Sequence, residues 1–351
     1  MVWQTIGQSK IVDLFRNALK QGSLSHAYLL VGPPQVGKMT LALDLARALN
    51  CQAGPELRPC RQCLSCQKIS TGKHADVQVV ALNSNPANGE AKERTEIGIE
   101  QIKEMLHSAS LPPFEGEYRV YIINEAEHLS SEAANCLLKT LEEPVGKVVF
   151  VLTTANVRLL PSTLISRCQR LNLLRMKNDE IESALVGRWN VEPGKAGLLA
   201  CLSCGCLGWA VEAADNPGLL QGRSEVLEKM KVIIGGDYSQ RFAAAYQLAV
   251  QFGKKRETVY EALDTWAGWW RDLLLVKTGC NGAVVNTDYL PDLAKMAGDF
   301  TLFQIKEALR NILEAGKQLR MNANSRLVLE VLMLKLPRAG TKGEKEVVTS
   351  N

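Results

Sequence analysis

Apolar and polar positions follow two different periods in the first half of the chain. Short apolar runs within 24–31, 118–128 and 147–156 predict buried strands. The residues after Gly37 and the stretch SSEAANCLLKTLEEP show the spacing of helices instead. Strands that alternate with helices predict a mostly parallel sheet covered on both faces, which is an α/β domain.

Beyond Cys168 the pattern indicates helices alone. Two short helical patterns lie within 177–215, and several amphipathic helices follow from about 222 to 337. The final stretch AGTKGEKEVVTSN is polar and lacks aromatic residues, as disordered tails do. We therefore predict four parts, which are an α/β domain at 1–175, a small helical domain at 176–220, a larger helical domain at 221–337 and a disordered tail at 338–351.

Composition limits the class of protein. Hydrophobic residues make up 46% and charged residues 22% of 351 positions, and no apolar run is long enough to cross a bilayer. The first residues lack the features of a secretory signal, so we expect a cytoplasmic protein without a membrane partner. A net charge of +4 is weak evidence for a nucleic-acid partner.

The stretch GPPQVGKMT lies between a predicted strand and a predicted helix. Gly32, Gly37 and Lys38 match the phosphate-binding P-loop, in which backbone N–H groups surround phosphate and the lysine reaches the terminal phosphates. The pattern requires Ser or Thr after the lysine to hold magnesium, and Met39 stands there. Thr40 comes one residue late, about 100° further around the helix.

A second magnesium-holding element is also altered. The predicted strand ending at Ile123 is followed by Asn124 and Glu125, whereas the usual pair is Asp-Glu. Asparagine offers an oxygen without a negative charge, so we expect no intact magnesium site and weak or absent hydrolysis. Whether ATP or ADP binds through the backbone and Lys38, or the loop only connects strand and helix, stays open from these residues.

Four cysteines are grouped directly after the helix of the P-loop. Four thiolates satisfy tetrahedral zinc, and the Cys-x2-Cys steps bring their sulfur atoms together. In a cytosolic protein a metal is favoured over disulfides, and four protein ligands leave no open position, which indicates structural zinc. The alternative is reduced thiols without a ligand. The cysteines, in a module at about 51–66, are Cys51, Cys60, Cys63 and Cys66.

Several segments together resemble the clamp-loader branch of the AAA+ family, most closely the delta-prime subunits of bacterial DNA polymerase III. The resemblance implies a RecA-like AAA+ P-loop domain with an inserted zinc module, a helical lid at 176–220 and an all-α collar at 221–337. The segments are WQTIGQ, SHAYLLVGPPQVGK, IGIEQIKEM, YIINEAEHLS, ANCLLKTLEEP, FVLTTANVRLLPSTLISRC and WWRDLL.

The same resemblance implies a role for Arg167, in the stretch Ser166-Arg167-Cys168. It corresponds to an arginine that points out of its own subunit and enters the ATP site of a neighbour. This role needs no ATP bound to the chain that donates the arginine. The alternative is an arginine that pairs with a surface carboxylate.

Two further positions have counterparts in the family. Thr153 or Thr154 corresponds to a sensor of the last phosphate, although threonine at the end of a strand is also ordinary structure. ATPase members usually carry a lid arginine, and here Gly208 stands in that stretch. This departure fits a delta-prime member better than an ATPase subunit.

These features favour a noncatalytic delta-prime-like subunit of the DNA polymerase III clamp loader that donates Arg167. Its implied partners are gamma/tau-type ATPase and delta-type subunits in a hetero-pentameric ring, with the sliding clamp and primed DNA reached through the complex. The alternative is an active gamma/tau-like ATPase that tolerates Met39 and Asn124. A zinc-dependent DNA-binding module is a third hypothesis, which the few basic residues around the cysteines oppose.

Overall fold

The computed structural model describes residues 3–82, 96–109, 111–143 and 146–338. The predicted tail at 338–351 lies outside these residues, except for Arg338. The chain forms two compact units. One runs to Glu180 and includes Gly205–Trp209, and the other consists of Ile181–Cys204 and the chain from Ala210 onward.

A five-stranded parallel sheet forms the centre of the first unit, in the order β2-β3-β4-β1-β5. The central strands carry almost only buried side chains, as expected for a parallel sheet with both faces covered. The strands are β1 Ala27–Val31, β2 Val77–Val80, β3 Arg119–Ile123, β4 Val148–Thr154 and β5 Gln169–Asn172.

Helices of the first unit contribute to two apolar cores on opposite faces of this sheet. Leu30 belongs to one core, with Phe15 of α1 and Leu45 of α2. Its neighbour Leu29 belongs to the other, with Ile102 of α4 and Leu137 of α5. The helices are α1 Ser9–Gln21, α2 Lys38–Asn50, α3 Leu64–Ser70, α4 Ile99–Ala109, α5 Ser131–Glu142 and α6 Ser162–Ile165.

Helices alone make up the described part of the second unit. Trp266, Trp269 and Trp270 of α12 are buried in its core, so they are packing residues. The helices are α7 Asn178–Trp189, α8 Pro193–Leu202, α9 Leu207–Asp215, α10 Pro217–Gly235, α11 Tyr238–Lys254, α12 Arg256–Lys277, α13 Leu290–Asp299, α14 Leu302–Arg320 and α15 Ser325–Lys335. The first three residues of α7 and of α9 belong to the first unit.

The predicted fold class, a parallel α/β domain followed by helices, is confirmed. Strands β1, β3 and β4 match the three apolar runs, while β2 and β5 were not predicted. Both missed strands are only four residues long and lie at the edges of the sheet. None of the helices in the described ranges is both long and apolar enough to cross a membrane.

Candidate functional site

The P-loop joins the carboxyl end of β1 to the first turn of α2. The Gly32 N–H donates to the Thr154 carbonyl at 3.1 Å, which holds the loop to the end of β4. Gly37 precedes α2 with φ of 101°, in the left-handed region that glycine adopts at little cost. The loop therefore has the local geometry that its glycine spacing predicts.

Lys38 is turned onto its own loop. Its ammonium donates to the Gly32 carbonyl at 2.7 Å and the Pro33 carbonyl at 2.8 Å, and the residue is only 9% exposed. Burial lowers the pKa of Lys38, and the carboxylates of Glu127 and Glu125 offset part of that effect. The ammonium of Lys38, which would pair with phosphate in a working P-loop, is thus held by hydrogen bonds within this chain.

Met39 and Thr40, which follow the lysine, lie in the first turn of α2. Met39 packs against the apolar core on the α1 and α2 face of the sheet. Its side chain therefore completes a hydrophobic surface at the position where an active P-loop has a magnesium-binding hydroxyl.

Asn124 and Thr153 lie together at the carboxyl ends of β3 and β4. The Thr153 hydroxyl donates to Asn124 Oδ1 at 2.9 Å and accepts the Glu125 N–H at 3.0 Å. Thr154 instead accepts the N–H of Asn156 at 3.1 Å, in the turn after its own strand. The structure brings Asn124, Glu125 and Thr153 together, and it gives Thr154 a local role.

Glu127 also belongs to this site, and the sequence did not single it out. One carboxylate oxygen accepts the Ala155 N–H at 2.9 Å. The other is buried without a hydrogen-bond partner among the residues described. Of the charged groups that raise the pKa of Lys38, Glu127 acts most strongly. Nothing in the sequence indicated that Glu127, two residues after Glu125, reaches this site, because the short 3-10 helix Ala126–His128 that orients it was not predicted.

Gly208 contacts the P-loop through its backbone. Its N–H donates to the Gln35 carbonyl at 2.9 Å. A Cβ at this position would lie 2.6 Å from the same oxygen, so no side chain fits without a shift of the backbone. At the position where the family resemblance led us to look for a lid arginine, this chain has a backbone hydrogen bond to its own loop.

Arg167 lies just after α6 and is held by its own chain. Its Nη1 donates to the Thr163 carbonyl at 2.7 Å, and its Nη2 pairs with Glu142, the last residue of α5. The arginine side chain is 30% exposed. In the single chain it therefore has the carboxylate partner that the alternative interpretation expected.

Ser166 and Cys168, which flank Arg167, are fastened to α6. The Ser166 hydroxyl donates to the Thr163 carbonyl at 3.1 Å, the same oxygen that Arg167 contacts. The Cys168 N–H donates to the Ile165 carbonyl at 3.2 Å, and burial raises the pKa of the Cys168 thiol to about 11. Ser166 and Cys168 therefore have structural roles, and Arg167 is the only member of the stretch Ser166-Arg167-Cys168 for which a catalytic role stays a prediction.

Cys51, Cys60, Cys63 and Cys66 converge as the spacing predicts. Their sulfur atoms all lie within 4.8 Å of one another. Four Zn–S bonds of about 2.3 Å in a tetrahedron imply sulfur separations of about 3.8 Å, so these residues fit zinc with little movement. Backbone N–H groups of Cys60 and Cys63 approach sulfur atoms of the cluster at 3.4 and 3.3 Å.

Buried polar groups fasten the segment before β3. The Asp76 carboxylate, on a residue 3% exposed, accepts the N–H groups of Phe114, Glu115 and Gly116, each at 2.7 Å. Asn50, at the end of α2, accepts two further backbone N–H groups of this segment at 2.9 Å. The side chain of Phe114 is 83% exposed, and the backbone N–H of the same residue is held by Asp76.

Two family models match separate parts of the chain. The model described as DNA polymerase III, delta subunit, matches residues 7–177, and the one described as its C-terminal part matches 217–337. The DNA polymerase III subunit delta' of Bacillus subtilis is 30% identical over 94% of this chain and 96% of its own length. The subunit tau of the same organism is 29% identical over 94% of this chain, which spans only 60% of tau.

A solved structure is also similar. The gamma subunit-related protein of Thermotoga maritima has a TM-score of 0.41 and 18% identity, covering 92% of this chain and 97% of its own.

Proposed function

From the premise that the chain belongs to the DNA polymerase III clamp-loader family and is similar to a delta-prime member over nearly its whole length, we propose that it is a noncatalytic subunit of the loader. In this proposal it does not hydrolyse ATP. It completes the ATP site of a neighbouring subunit with Arg167.

The observation that carries the proposal is the state of the P-loop. Lys38 is hydrogen-bonded to Gly32 and Pro33, and Met39 packs against the hydrophobic core. Asn124 has no charge to offer a divalent cation, and its side-chain oxygen already accepts the Thr153 hydroxyl. Lys38 and Asn124 therefore already have partners within this chain, and Met39 stands in place of the magnesium-binding hydroxyl.

In this proposal, Arg167 is the residue through which the chain contributes to ATP hydrolysis at the neighbouring subunit. An arginine that enters a neighbouring site offsets the charge on the transferring phosphoryl group, with a rate effect on the order of 10³ to 10⁵. Nucleotide bound to its own subunit is unnecessary for this role. The exposed part of Arg167 and the short helix before it support the proposal.

We further propose the partners of a clamp-loader ring, which are gamma/tau-type ATPase and delta-type subunits, the sliding clamp and primed DNA. Helix α11 presents a stripe of partly exposed apolar side chains at four-residue spacing, suited to a neighbouring helix. Its members are Tyr238 at 51%, Phe242 at 38%, Tyr246 at 54% and Val250 at 43% exposure. The four cysteines hold structural zinc in this proposal.

The test is ATP turnover by the reconstituted loader, with a gamma/tau-type ATPase, clamp and primed DNA. Arg167→Ala is expected to lower turnover at least about 1000-fold. Lys38→Ala, once shown to be folded, is expected to leave turnover nearly unchanged. Arg170→Ala, an exposed arginine three residues away, serves as the matched control. Loss with Lys38→Ala and not with Arg167→Ala would instead identify a working ATPase.

A further inference from the structure

Glu142 is the one carboxylate that contacts Arg167 in the described part of the chain. We propose that Glu142 is the positioning residue for Arg167, holding its guanidinium in the orientation in which it meets the neighbour's nucleotide. This inference rests on the proposed function of Arg167. Glu142 lies in the segment ANCLLKTLEEP, but neither the resemblance nor the similarity to known proteins assigns it this role.

The hydrogen bonds of Arg167 leave donors available while they fix its orientation. An arginine has five N–H groups in a planar fork. One on Nη1 is bonded to Thr163 and one on Nη2 to Glu142, while Nε is buried without a partner among the described atoms. The second N–H of each Nη therefore remains for phosphate oxygens of another subunit. Arg167 does not have to leave Glu142 in order to bind them.

The place of Glu142 in the fold makes it a fixed support. It is the last residue of α5, and the carbonyl of the preceding residue, Leu141, contacts His26 Nε2 at 2.8 Å. That contact ties the end of α5 to the residue just before β1. An Arg side chain otherwise loses much of its rotamer freedom only when it is immobilised at the neighbour's site. Because Arg167 pairs with a fixed carboxylate, its side chain has already lost part of that freedom before the neighbour binds.

Stability of the helix alone does not explain the carboxylate. A negative charge at the carboxyl end of a helix is unfavourable, because it faces the negative end of the helix dipole. Removing it should leave α5 unchanged or slightly more stable. A fall in turnover without a fall in stability is therefore a sign of positioning.

The experiment uses the full chain in the reconstituted loader and measures kcat and KM for ATP. Glu142→Ala is expected to lower kcat about fivefold, the equivalent of about 1 kcal/mol for an exposed ion pair. The KM should stay within twofold, because Arg167 acts in the transition state. Glu143→Ala, an exposed carboxylate on the next residue, is the matched control and should match the wild type.

A double mutant separates this inference from the function on which it rests. In an Arg167→Ala background, Glu142→Ala should have no further effect, because the group that it orients is gone. Wild-type kcat in Glu142→Ala, or the same fivefold loss in both backgrounds, would overturn the positioning role alone. Wild-type turnover in Arg167→Ala would overturn the proposed function, and this inference with it.

Discussion

Asp76 offers a direct test of how the segment before β3 is held. Asp76→Asn keeps the shape of the side chain and removes its charge. Glu115 and Gly116 donate to one carboxylate oxygen and Phe114 to the other. Asparagine has only one acceptor oxygen, so its amide nitrogen must face at least one backbone N–H group. A hydrogen bond to a charged group contributes about 1.5 to 3 kcal/mol, and the two bonds that remain each weaken by about 1 kcal/mol when the charge is removed, so we expect local stability to fall by about 3 to 5 kcal/mol.

The measurement is hydrogen exchange of the amides of residues 114–116 at pH 7. A loss of 3 kcal/mol speeds their exchange by roughly 150-fold, since 1.4 kcal/mol corresponds to a factor of ten. Asp13→Asn is the control, because Asp13 is exposed and pairs with Arg16 on the surface of α1. Exchange within a factor of five of the wild type would refute the account of Asp76.

The same substitution has a pH dependence of known sign. Burial raises the pKa of Asp76, and its backbone hydrogen bonds and the Arg119 guanidinium more than offset this, so the folded pKa lies below its usual value. A depressed pKa contributes stability that is complete above the unfolded pKa of about 3.9 and is lost as pH falls through the folded value. The difference between the wild type and Asp76→Asn should therefore be constant from pH 7 to 5 and shrink below about pH 4.

Two further predictions concern the zinc site and the P-loop. The wild-type chain should carry one zinc ion in native mass spectrometry, and Cys63→Ser should bind zinc more weakly and melt at a lower temperature; full zinc retention would contradict a four-thiolate site. Gly208→Ala should destabilise the protein by about 1 to 3 kcal/mol, because its Cβ would lie 2.6 Å from the Gln35 carbonyl. Gly222→Ala, where a Cβ meets nothing within 4 Å, should be neutral or stabilising, and equal effects at both glycines would contradict the close contact.

Local patterns account for the features that the sequence predicted well. The glycines and Lys38 are close together in the chain, so their spacing alone specifies a loop between a strand and a helix. The four cysteines lie within 16 positions, and their spacing was enough to predict that the sulfur atoms come together. The apolar runs of β1, β3 and β4 are buried on both faces, which gives a strong signal.

Tertiary contacts account for what the sequence did not predict. Strand β5 has one buried side chain in four, so it has no apolar run to detect. Glu127 reaches the site through a contact with Ala155, 28 positions away. The contact of Gly208 with Gln35 joins residues more than 170 positions apart. No periodicity in a single sequence reports such pairs.

The missing magnesium ligands and the ordered Arg167 involve different parts of the first unit. Met39 and Asn124 lie near the carboxyl ends of β1 and β3, where nucleotide would bind. Arg167 depends instead on the bond to Thr163 in α6 and on Glu142 at the end of α5. Both partners are ordered by hydrogen bonds within this chain and require no nucleotide. Under the proposed function, the chain can therefore present Arg167 without hydrolysing ATP, because the geometry of that arginine does not depend on its own P-loop.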